Sequence, residues 1–102
     1  MTSTINQTPP PDFQSFEAAA IDRGFQEVLS RKWAPNERPG THSHPFDAEA
    51  LVVEGEMWLQ VDGHTQHLLP GAMFKLPAGT EHDEWYGPNG AVYWVARRNR
   101  KG

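Results

Sequence analysis

His42 and His44 are the residues whose type and spacing most directly suggest chemistry. Only Ser43 separates them. Side chains alternate along an extended strand, so both imidazoles project from one face. Neutral imidazole nitrogens suit divalent first-row metals, and two rings on one face can occupy adjacent corners of a single coordination sphere. A third histidine, His82, stands just past a Pro77-Ala78-Gly79 turn. Glu84 lies two residues further on, so a regular strand turns its carboxylate to the same side as His82. Placed there, Glu84 is a fourth ligand or a catalytic general base; the alternative is a rim residue in water. Glu81 and Asp83 fall on the opposite, solvated face. A His-x-His pair alone suits two surface histidines as well as a metal. The elements around it must decide.

Those elements read as β structure. Nine glycines and nine prolines in 102 residues punctuate short alternating runs, the pattern of an all-β sandwich or barrel. The exception is Asp12 to Arg23, where Phe13, Phe16, Ala20 and Ile21 recur at helical spacing and Gly24 stands as the cap. Phe25 to Trp33 has no purely apolar face, as expected of an edge strand. An extended stretch over Thr41 to Glu54, broken at Pro45, leads to a turn at Glu54-Gly55. In Glu56 to Asp62, Met57, Leu59 and Val61 alternate with Trp58 and Gln60. Asp62-Gly63 is a strong hairpin signal, since both central positions of a type I′ turn need positive φ. His64 and His67 follow it on opposite faces of the return strand and read as surface residues. Further strands are expected over Ala72 to Leu76, Thr80 to Tyr86 and Ala91 to Arg97, with a loop at Gly87-Pro88-Asn89-Gly90. About seven or eight short strands with tight turns can protect their edges by closing into a barrel.

At this point the chain resembles the cupin superfamily, whose two motifs can be laid on it residue by residue. The first, G-x5-H-x-H-x3,4-E-x6-G, falls on Asn36, His42, His44 and Gly55. The second, G-x5-P-x-G-x2-H-x3-N, falls on Gly71, Pro77, Gly79 and His82 with every spacing kept. The resemblance covers Pro35 to Tyr86 closely. It implies a double-stranded β-helix, or jelly-roll, barrel with the short helix in front, and a metal held by His42, His44 and His82. Three positions depart from the pattern. Asn36 replaces a glycine, and asparagine tolerates the left-handed conformation next best. Tyr86 stands at the terminal asparagine. Ala48 occupies the place of the family's glutamate ligand, on the histidine face, with Asp47 and Glu49 pointing away. A bulge after Pro45 would swing Asp47 or Glu49 inward; without one, the site is three histidines plus water or substrate.

On this reading residues 1–11 are a disordered leader, 12–97 a single cupin domain, and 98–102 a basic tail; the dense basic run of Arg97, Arg98, Arg100 and Lys101 reads as solvated. The ion is a divalent transition metal: iron, zinc, nickel, copper, cobalt or manganese. The function is a metal-dependent enzyme of dioxygenase type acting on a small oxygen-bearing molecule. One alternative is a non-catalytic binding or sensing module. A second is an isomerase or epimerase of carbohydrates, which needs an acid/base pair that the sequence does not identify. A net charge of −4 gives no reason to expect nucleic acid, and no apolar run suits a bilayer. With no cysteines, a cytoplasmic location is expected. Trp58 and Trp85 lie opposite the inward residues of their strands, so a homodimer, or cover by the helix, is expected over them.

Overall fold

The computed structural model describes residues 12–99; the expected leader, and the end of the expected tail, lie outside the described residues. Helix α1 spans Phe13–Asp22. Asp12 caps it, its carboxylate accepting a hydrogen bond from the Ser15 N–H at 2.8 Å and so satisfying one of the amides that a helix start leaves unpaired. Phe16 and Ala20 are buried as the spacing predicts, whereas Ile21 faces solvent. Phe25, beyond the Gly24 turn, fills the remaining place in that cluster.

Five strands follow: β1 (Glu27–Trp33), β2 (Phe46–Val61), β3 (His64–Leu68), β4 (Met73–Leu76) and β5 (Asp83–Asn99). The sheet order is β1-β5-β2-β3, all neighbours antiparallel, and β4 pairs with the first half of β2. β1 is an edge strand, as its mixed faces imply. The jelly-roll expectation holds, but with fewer and longer strands than the turn signals suggested. Glu54-Gly55 does not turn the chain: β2 runs through it with irregular register between Val52 and Glu54 and between Gly55 and Met57. The expected loop at Gly87 to Gly90 is likewise absorbed into β5, as extra residues opposite Glu56 between the pairs Gly55–Ala91 and Met57–Tyr86. Such bulges bend a strand and change which residues face inward. The long strands thereby serve both walls of the barrel. β5 also continues through Arg98 and Asn99, into the expected tail.

The barrel interior is Ala48, Ala50, Val52, Met57, Leu59, Leu76, Tyr86, Tyr93 and Val95 with their neighbours. Inward positions are even-numbered before the irregularities of β2 and odd-numbered after them. A second cluster forms outside, where α1 covers Leu51, Ala96 and Trp94. The Asp62-Gly63 turn has φ of 52° and 80°, as a type I′ hairpin requires. Asn36 has φ 59°, taking the left-handed conformation at the motif's glycine position. No helix among the described residues is long and apolar enough to cross a membrane.

Candidate metal centre

His42 and His82 are joined by an isolated antiparallel bridge, each amide donating to the other's carbonyl at 2.9 Å. Directly opposed residues in such a bridge point to the same side. His44 lies in extended chain just before β2, its carbonyl held by the Gly79 N–H at 2.8 Å. The glycine of the second motif thus secures a histidine of the first. Ring centroids are 4.4 Å apart for His42 and His82, 4.8 Å for His42 and His44, and 5.2 Å for His44 and His82. One nitrogen from each ring can be chosen so that all three lie within 4.8 Å of one another.

Backbone carbonyls set the tautomers. Nδ1–H of His42 donates to the Gly40 carbonyl at 2.7 Å, and Nδ1–H of His82 to the Thr80 carbonyl at 2.9 Å. A carbonyl only accepts, so in the neutral ring the proton sits on Nδ1 and the Nε2 lone pair faces the centre. His82 Nε2 is buried without a hydrogen-bond partner. Glu84 Oε1 faces it at 3.4 Å and lies 4.0 Å from His42 Nε2. A lone pair and a carboxylate oxygen opposed at that distance repel unless a proton or cation sits between them. The donor set therefore fits a divalent cation. Burial pulls the His82 pKa down, but the Glu84 carboxylate and Thr80 carbonyl outweigh it and hold the value above the usual one. His44 goes the other way, lowered by burial and by the positive fields of His42 and His82.

Glu84 is 4% exposed, so the rim reading fails. Its Oε2 accepts from the Tyr86 hydroxyl and, at 3.4 Å, from the Tyr93 hydroxyl. Burial, then the neighbouring Glu84 charge, pushes the Tyr93 phenol well above its ordinary range, which keeps it a donor. Tyr86 stacks on Trp33 at 4.8 Å, which holds its ring in place. The second motif marked Tyr86 only as a departure from its terminal asparagine, and Tyr93 lies outside both motifs. Tyr86 could have been found by extending the His82, Glu84 alternation one step; Tyr93 could not, because the bulge resets the facing of β5.

The glutamate position of the first motif is empty of carboxylate. Ala48 is buried on the cavity wall, paired in regular register with Leu76 and Arg97. Asp47 accepts from the Ala78 N–H at 2.8 Å, with Arg98 3.5 Å from its other oxygen. Glu49 pairs with Arg23 at 2.7 Å. Both point away from the histidines, so no bulge restores the missing ligand. Phe46 lines the cavity and stacks on His44 at 4.8 Å, while His64 and His67 are exposed on β3, as expected. Asp83 binds Arg38 at 2.6 Å outside the barrel.

The three histidines, Glu84 and Ala48 line a cavity of about 70 Å³, closed further by Trp33, Phe46 and Tyr93. Arg31 and Arg97 complete its wall. Arg97, expected in a solvated run, instead belongs to this inner face. A larger open depression of about 350 Å³ borders His82 and Asp83, but it gathers no comparable set of ligands.

A family model described as "Cupin domain" matches residues 31–94. Among solved structures, an RmlC-like cupin from Shewanella frigidimarina is similar at 26% identity and a TM-score of 0.60, over 74% of this chain and 69% of that one. A chain from a structural study of DMSP lyases is similar at 23% identity and TM-score 0.65, covering 71% of this chain. An oxalate oxidase is similar at 21% identity and TM-score 0.64, also over 71% of this chain. This chain spans only 37% and 41% of those last two. No curated protein matches the sequence.

Proposed function

The chain belongs to the cupin-domain family, and from that premise we propose that it is a metal-dependent enzyme acting on a small oxygen-bearing molecule, with Glu84 as its proton acceptor. The observation that carries this reading is the Glu84 carboxylate, anchored at Oε2 by two tyrosine hydroxyls and opposed at Oε1 to the bare Nε2 of His82. Burying a charge is costly, so this carboxylate needs compensation, either from the ion it faces, as a fourth ligand, or from a proton that it accepts during turnover. His42, His44 and His82 would hold the ion through Nε2 of His42 and His82 and a ring nitrogen of His44. A bound divalent ion supplies Lewis-acid or redox chemistry at its open positions.

The protein's own residues then divide the work. Glu84 Oε1 takes a proton from the ligand, and the Tyr86 and Tyr93 hydroxyls stabilise the negative charge on Oε2 before that transfer. Trp33, Phe46 and Leu76 exclude water from the cavity. Dioxygenase-type oxidation is one form of this reading. The tyrosine-held base favours a second, proton-transfer chemistry of the lyase or isomerase kind, because the two phenols beside Glu84 complete the acid/base pair that the sequence did not identify. Both classes have namesakes among the similar folds, an oxidase and lyases.

Protein purified without a histidine tag, loaded with each metal in turn, should turn over small hydroxy or oxo compounds, with oxygen uptake separating the two forms. Glu84→Gln should lower kcat about 10²- to 10⁴-fold, the usual share of a general base. Ligand binding without turnover, equal in wild type and Glu84→Gln, would instead favour the binding module.

A further inference from the structure

Two arginines face the cavity, and among the described residues Glu84 is the sole carboxylate on its wall. Arg31 stands opposite Tyr93 in the β1–β5 register, and Arg97 opposite Ala48 in the β2–β5 register. The Arg31 guanidinium lies 4.9 Å over the Trp33 ring and has no carboxylate partner among the described residues. The Arg97 guanidinium lies 4.7 Å over the Phe46 ring, and its Nε is buried without a hydrogen-bond partner. Its one ion pair, to Glu27 at 3.4 Å, involves a half-exposed side chain and counts for little. Both guanidinium groups are therefore steadied by aromatic rings, with donors left over.

Charge makes the same point. Glu84 contributes one negative charge, Arg31 and Arg97 contribute two positive ones, and a divalent ion would add two more. A largely enclosed space with that excess attracts an anion, and planar guanidinium forks match a carboxylate. The cavity of about 70 Å³ suits a small ligand.

We propose that the ligand is a small organic carboxylate, whose carboxylate group is held at the cavity mouth by Arg31 and Arg97 while its other end points toward His42, His44 and His82. The orientation rests on the metal reading above; the arginine clamp does not. Glycolate and its neutral isostere glycolamide are suitable probes, followed by calorimetry on zinc-loaded and metal-free protein. Glycolate also chelates zinc, so the metal-free protein gives the deciding comparison. There, glycolate should bind about tenfold or more tighter than glycolamide, and Arg31→Gln or Arg97→Gln should each erase most of that difference without changing glycolamide binding. Circular dichroism identifies any variant that fails to fold, and the two probes on wild type test the clamp without variants. Equal affinities in the metal-free protein, no glycolate binding, or a preference that survives both substitutions would overturn the proposal. A preserved preference in protein that takes up no metal would instead contradict the metal reading and leave the clamp standing.

Discussion

His82 is held from two sides, its backbone by His42 and its Nδ1–H by the Thr80 carbonyl, and its Nε2 is left facing Glu84. That leaves little freedom for the ring, so any ion it binds is placed by the barrel. Asp47→Ala and Glu49→Ala should leave the metal content unchanged, since both carboxylates are occupied elsewhere; loss of metal in either variant would show a ligand that this geometry lacks. Metal affinity should fall on acidification through the ordinary imidazole value of 6.5. His82, whose pKa is raised, takes up its proton before His44, whose pKa is lowered. Titration of metal release against pH checks this; affinity constant down to pH 5 would contradict it. The histidines and Ala48 were legible in the sequence because the spacing of the two motifs marks their positions directly. Arg97 was not. Its neighbours Arg98, Arg100 and Lys101 made it resemble a solvated run, and only the register of β5 with β1 and β2 turns it inward.

At the scale of elements, the long strands depend on close backbone approaches at the bulges. Gly55 has φ 79°, and a Cβ built on it would lie 2.1 Å from the Gly90 carbonyl oxygen. Gly90 has φ 72°, and its added Cβ would lie 2.3 Å from the Trp33 oxygen. Both neighbours are backbone and cannot step aside cheaply. Gly55→Ala and Gly90→Ala should each destabilise the fold by about 2–4 kcal/mol, combining positive-φ strain with a steric clash. Thermal or urea unfolding reads this directly, and a loss under about 0.5 kcal/mol, the range of an ordinary surface change, would mean that the bulges are not tightly held. These glycines were visible, but their meaning was not: a Glu-Gly pair and a Gly-Pro-Asn-Gly run carry the composition of turns. Long-range pairing overrode that local preference. Asn36 is the opposite case, where the local rule for left-handed residues sufficed.

The whole molecule presents two different outer surfaces. Helix α1 covers Leu51, Trp94 and Ala96, with Phe13 edge-on to Trp94 at 5.8 Å. It does not cover Trp58 and Trp85, so that expectation fails. Those rings stack on each other at 6.4 Å, between Arg38 over Trp85 and His67 over Trp58, and remain half-buried by their own chain. The two-fold homodimer stays a proposal for this face. Light scattering at micromolar concentration should give twice the chain mass for wild type and a shift toward the single mass for Trp58→Ala; a wild-type monomer would refute it. The assembly does not bear on the cavity, which one chain builds alone. The central claim is the ion itself, and metal analysis by inductively coupled plasma mass spectrometry tests it most directly. Untagged wild-type protein should carry one divalent transition metal per chain, and His42→Ala, His44→Ala and His82→Ala should each lose it while staying folded. A folded wild type that takes up no such metal, or a His82→Ala variant that keeps a full complement, would contradict the account.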